Sequence, residues 1–135
     1  MRMAGYAAIF DTPDRGGDIV RRGAFAHVAK GGVPLLRQHD PACRIGFVER
    51  LEEDARGLRV IASIDEDQAV AAGAGLSFGY RVRDMKRGTY RELIDLDLIE
   101  ISVVDFPMQP LARVLAVTSD PATGEEFIKG EYDGL

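Results

Sequence analysis

The chain has 135 residues, 46% hydrophobic and 29% charged, with two His, one Cys and no Trp. That is enough for one globular domain, and a lone Cys excludes both a disulfide framework and a Cys-rich zinc site. Of the formal net charge of −5, residues 119–135 carry most, with five acids against Lys129, so the nearly neutral body lacks the basic face that nucleic-acid binding requires.

Alternation of period two dominates the body, and turn residues are closely spaced. Residues 5–10 are expected as a strand, closed by the turn cluster at 11–18. Residues 25–30 read as a short helix ended by Gly31 and Gly32, and 33–38 as a short strand. Residues 45–51 and 58–64 make a hairpin around 53–57. One or two helical turns are expected at 65–72. A second hairpin joins 76–82 to 90–93, with Lys86-Arg87-Gly88 at its tip. Residues 96–106 form the most apolar strand and 113–117 the last. Six to eight short strands at this spacing predict a mainly β chain, an antiparallel sandwich or barrel with a few short helices. The expected division is a β-barrel domain over 1–118 and a flexible acidic tail over 119–135. No apolar run reaches the roughly 20 residues that cross a bilayer. The N-terminus lacks a secretory signal, so an intracellular setting is expected.

Gly75-Leu76-Ser77-Phe78-Gly79 matches G-x-S-x-G, the nucleophile-elbow pattern of α/β-hydrolases. That fold needs its histidine after the serine, yet His27 and His39 both precede it, and Tyr80-Arg81-Val82 continues as strand. The α/β-hydrolase reading fails, but Ser77 survives it. Leu76, Phe78, Tyr80 and Val82 share one face of an extended strand, and Ser77, Gly79 and Arg81 share the other. Glycines on both sides would let another chain approach the hydroxyl. The plain alternative is a solvent-facing strand serine.

A serine nucleophile needs a base. His27 falls within the short 25–30 segment, where a structural role is the simpler reading. His39 ends a strand where the chain reverses, a place where reactive groups tend to sit. A third, acidic group should orient the histidine. Glu100 stands out because 98–104 is apolar on both sides, and a carboxylate there needs either a partner or an edge facing water. Asp97 is the next candidate.

In order, Gly5–Phe10, Asp14-Arg15-Gly16-Gly17-Asp18, Arg22-Gly23-Ala24-Phe25, Leu36-Arg37-Gln38-His39-Asp40, Ile45-Gly46, Asp54-Ala55-Arg56-Gly57-Leu58, Leu76–Val82 and Leu98–Val104, closed by Pro107 and Ala112, resemble the prohead (procapsid) maturation protease family of tailed phages and gene transfer agents. The resemblance spans about residues 4–117. It implies a serine endopeptidase with a β-barrel like that of the herpesvirus assemblins. Such enzymes cut scaffold or major capsid protein segments, and often themselves, inside the procapsid in the bacterial cytoplasm. His39 carries over as base, Ser77 as nucleophile and Glu100 as third member. A homodimer is a further expectation. Backbone N–H groups would line an oxyanion hole, with Arg81 or Arg113 in support. Residues 65–75 are shorter than the helix that relatives place before the nucleophile strand.

No cofactor, metal or membrane is expected. A Cys43–His39 dyad is disfavoured because Pro41 separates the two. Asp11, Asp14 and Asp18 lack the spacing of an EF-hand loop, and aspartates favour turns in any case. Lys30 is followed by Gly31, so there is no P-loop. The competing functional reading is an inactive β-barrel module that serves the capsid structurally or binds scaffold.

Overall fold

Eight strands and no helix make up residues 1–119, the part of the chain described by the computed structural model. They are β1 (Arg2–Ile9), β2 (Asp18–Val20), β3 (Pro34–Arg37), β4 (Asp40–Glu53), β5 (Gly57–Ile64), β6 (Gly75–Lys86), β7 (Arg91–Val104) and β8 (Val114–Thr118). β1 is buried almost throughout because β5 pairs with one of its edges and β8 with the other. Its small residues Ala4, Ala7 and Ala8 suit that central place. The core is filled by Met3, Leu35, Ile45, Leu58, Leu76, Leu93, Leu96 and Ile101. Burying an apolar side chain of this size is worth roughly 1.5–3 kcal/mol.

The sheet runs β2-β7-β3-β4-β5-β1-β8, with β6 on the other edge of β7. The expected mainly β architecture is correct, and the hairpins β4–β5 and β6–β7 are antiparallel. Two pairings depart from a purely antiparallel sheet: β2 and β3 both run parallel to β7, along its first and last residues. The sheet curls until β6 meets the approach to β8 at an isolated bridge, Gly75 to Arg113. Leu76 N–H donates to Ala112 O at 2.9 Å, and Val114 N–H to Ala74 O at 2.8 Å, beside it. This is an incomplete barrel, held at that seam without a strand pair.

Both expected helices are corrected. Around residues 25–30 the bonds run from Ala24 N–H to Arg21 O, Ala26 N–H to Gly23 O and Val28 N–H to Phe25 O, all three residues apart, so the segment is a chain of turns. The Glu53 carboxylate accepts from the N–H groups of Gly23 and Phe25 at 2.7 and 3.0 Å and fixes those turns from another strand. At 65–72 a single bond, Gln68 N–H to Asp65 O, makes one turn that no helix continues. The strands expected at 90–93 and 96–106 are one continuous β7, Arg91–Val104, which leaves out 90, 105 and 106 and whose pairing with β6 absorbs the irregularities as register shifts. The acidic tail expected at 119–135 lies outside the described residues apart from Ser119.

Candidate active site

Ser77 sits on β6, directly opposite Ser102 of β7. Directly opposed residues present their side chains to the same face, about 5 Å apart at Cβ. Glu100, two residues before Ser102, shares that face and lies opposite Gly79. A Cβ on Gly79 would meet Glu100 Oε1 at 2.3 Å. The glycine that completes the G-x-S-x-G pattern therefore leaves room for a carboxylate lying across β6. Gly75 has a different reason: a Cβ there would come within 2.7 Å of Pro107 and 2.8 Å of Val104 O.

His39 reaches this face from the β3–β4 turn. Arg37 pairs with Asp40, and the two residues between them, Gln38 and His39, both have left-handed backbones, φ 54° and 60°. A two-residue hairpin turn favours Gly or Asn in such conformations, and each other residue there costs about 1–3 kcal/mol. Specific bonds hold it. Gln38 N–H donates to Val103 O at 2.9 Å, Asp105 N–H to Gln38 Oε1 at 3.2 Å, and His39 N–H to Ser102 Oγ at 3.1 Å.

The ring then meets Glu100, with Nδ1 2.5 Å from Oε1. The other carboxylate oxygen, Oε2, accepts from Ser102 Oγ at 2.5 Å. Glu100 is 6% exposed and Ser77 7%. Both oxygens of the buried carboxylate are partnered, which offsets its desolvation. With Nδ1–H donating to the carboxylate, Nε2 is the nitrogen left to accept a proton. Ser77 itself makes no side-chain hydrogen bond among the described residues. It borders a cavity of about 50 Å³ lined also by Ala7, Asp14, Phe78, Tyr80 and Met108. A larger hollow of about 500 Å³, beside Phe25, Val28, Leu51 and Leu58, lies away from these groups.

The remaining expected residues fall elsewhere. Asp97 is exposed and faces Arg83 at 3.5 Å, so Glu100, not Asp97, meets the histidine. Arg81 is exposed opposite Asp97, roughly 13 Å along the strand from Ser77. Arg113 donates from Nε to Pro110 O at 2.8 Å and from Nη1 to Gly73 O at 3.2 Å, tying the β7–β8 loop to the β5–β6 loop. His27 is exposed on the turns, and Cys43 packs against the core from β4.

The three aspartates of the 11–18 turn are engaged separately. Asp11 pairs with Arg21 at 2.9 Å, Asp14 Oδ1 accepts from the N–H groups of Gly16 and Asp18, and Asp18 holds Arg91 through two bonds of 2.8 Å. Arg91 keeps the Asp18 carboxyl below the usual range, and burial pushes the Tyr80 phenol up. Ser102 went unread in the sequence. Its signal was a Ser and a Glu at i, i+2 on one face of an otherwise apolar strand.

A family model described as Caudovirus prohead serine protease matches residues 1–126. No curated protein sequence matches the chain. Solved structures do: KSHV protease, crystallised with a hexapeptide phosphonate inhibitor, superposes with a TM-score of 0.61. The likeness covers 99% of this chain and 76% of that one at 8% identity, and so concerns the fold.

Proposed function

The chain belongs to the caudovirus prohead serine protease family, and on that premise we propose that Ser77, His39 and Glu100 are its catalytic residues and that segments of scaffold or major capsid protein are its substrates. Membership makes it a serine protease of capsid maturation. The contact that carries the residue assignment is His39 Nδ1 at 2.5 Å from a buried Glu100, on the face that bears Ser77.

In the proposed reaction Ser77 Oγ attacks a peptide carbonyl while His39 Nε2 takes its proton. Nε2 then delivers the proton to the leaving amine, and the acyl-enzyme ester forms as the C–N bond breaks. Water, deprotonated by the same nitrogen, hydrolyses the ester and restores Ser77. Glu100 holds Nδ1–H and stabilises the imidazolium that forms in each half. Base catalysis supplies about 10²–10⁴-fold and the oxyanion donors about 10²–10³-fold.

Co-expression with the cognate major capsid or scaffold protein tests the reading. Wild type should shorten its substrate, and Ser77→Ala should leave it full length. Equal shortening by Ser77→Ala would reject the nucleophile. No shortening by wild type, together with retained binding to the capsid protein, would make the chain a structural module.

A further inference from the structure

Ser102 is fully buried, 0% exposed, between Ser77 on β6 and Leu36 on β3. Its neighbours Ile101, Val103 and Val104 are all apolar and buried. A hydroxyl in such a strand adds nothing to the core and must find partners. It has one proton to give and lone pairs to offer. The proton goes to Glu100 Oε2 at 2.5 Å, and a lone pair takes the His39 backbone N–H at 3.1 Å. One oxygen atom thus touches both ends of the base assembly. It fixes the left-handed backbone that carries the imidazole and the carboxylate that turns the ring.

We propose that Ser102 is a positioning residue for the protease reaction, a fourth member that sets the imidazole against Ser77 without touching substrate. This rests on the assignment of Ser77, His39 and Glu100 made above. The hydroxyl splits the work of the carboxylate. With Oε2 occupied by Ser102, Oε1 is left for Nδ1 and the carboxylate cannot rotate away from the ring. Anchoring His39 N–H removes the freedom of the turn in the same stroke. Ser102 cannot serve as the nucleophile, because it is closed to solvent on every side and its proton already points at Glu100.

The test is the rate of labelling by a fluorophosphonate probe on the full chain, resolved into kinact and KI, with the labelled residue mapped by mass spectrometry. Wild type should label at Ser77, and His39→Ala should not label. If wild type labels elsewhere, or His39→Ala labels as fast, the underlying assignment falls and this inference with it. Given that assignment, Ser102→Ala should lower kinact about 10- to 100-fold with KI within about twofold, the scale of one charge-assisted hydrogen bond.

Two further variants separate positioning from packing. Ser102→Cys keeps the branching, with a slightly larger atom, but donates weakly, so it should behave like Ser102→Ala; Ser102→Thr keeps the hydroxyl and should recover most of the rate. Thermal melts on the same samples should not follow the order of the rates. Wild-type kinact in Ser102→Cys, or a loss carried by KI, overturns the proposal.

Discussion

One ladder, β6 against β7, has two unlike halves. Near its start, Gly75–Gly79 faces Glu100–Val104, and almost every residue is buried. There β3 covers the other edge of β7, and the bridge to Arg113 covers the start of β6. Farther out, Arg81–Lys86 faces Glu92–Asp97, and Val82, Ile94 and Tyr90 are 37–43% exposed. The far half has its own charges, Arg83 lying 3.5 Å from Asp97 and 3.8 Å from Asp95. Backbone pairing is antiparallel in both, regular in the near half and interrupted by register shifts in the far one. The other difference is what lies over the side chains: the β3–β4 turn in the near half, and in the far one water over most of them, Leu93 and Leu96 alone staying fully buried. Ion pairs in water are worth at most about 1 kcal/mol. A carboxylate enclosed by a turn and a serine can hold a ring in one orientation.

Substitutions that keep the ladder but alter the enclosure should separate the halves. Glu100→Gln, which keeps the shape and removes the charge, should lower cleavage or probe labelling by about 10³–10⁴-fold, with the fold intact by circular dichroism. Gly79→Ala should cost about 10–100-fold, because the new methyl displaces the Glu100 carboxylate while the flexible side chain spares the backbone. A chain that loses stability in step with activity would count against that account.

Asp18 and Arg91 stand where β2 meets the far half. Asp18→Asn should lower stability at pH 7 by about 1 kcal/mol in urea melts, with labelling at Ser77 near wild type. The Asp18 carboxyl is held below its usual range in the fold, so its contribution is complete above that range and disappears as pH falls through the lowered value. The wild-type melting temperature should therefore decline more steeply below about pH 4 than that of Asp18→Asn. Smallest of all, Arg83→Ala should change stability by about 0.5 kcal/mol or less and leave labelling unchanged. A large loss there would erase the distinction between the halves.

The Ser77 strand, the apolar run 98–104 with its one carboxylate and the β4–β5 hairpin were legible because each is a local pattern: alternation, turn residues, or a charge where none belongs. β2 was hidden at the end of the 11–18 turn cluster, since three residues gain strand geometry only from β7 beside them. The parallel pairings depend on contacts across most of the chain, which no local periodicity encodes. The left-handed Gln38-His39 turn was equally unreadable, because neither residue advertises that backbone and the bonds that impose it come from β7 and its exit. Short helices were expected from composition, and a glutamate two strands away decided against one of them.

The seam between Gly75 and Arg113 has a consequence for how the molecule breathes. A few bonds cross it: Gly73 N–H to Val114 O, Leu76 N–H to Ala112 O, Val114 N–H to Ala74 O, and the Arg113 guanidinium to Gly73 O. Opening a seam this short takes far less free energy than separating two full strands. Its amides should exchange with solvent ahead of those in the β1–β5 ladder, as native-state hydrogen exchange would show. Ser77 follows Leu76 directly, so on the proposed assignment the part of the sheet expected to yield first adjoins the nucleophile.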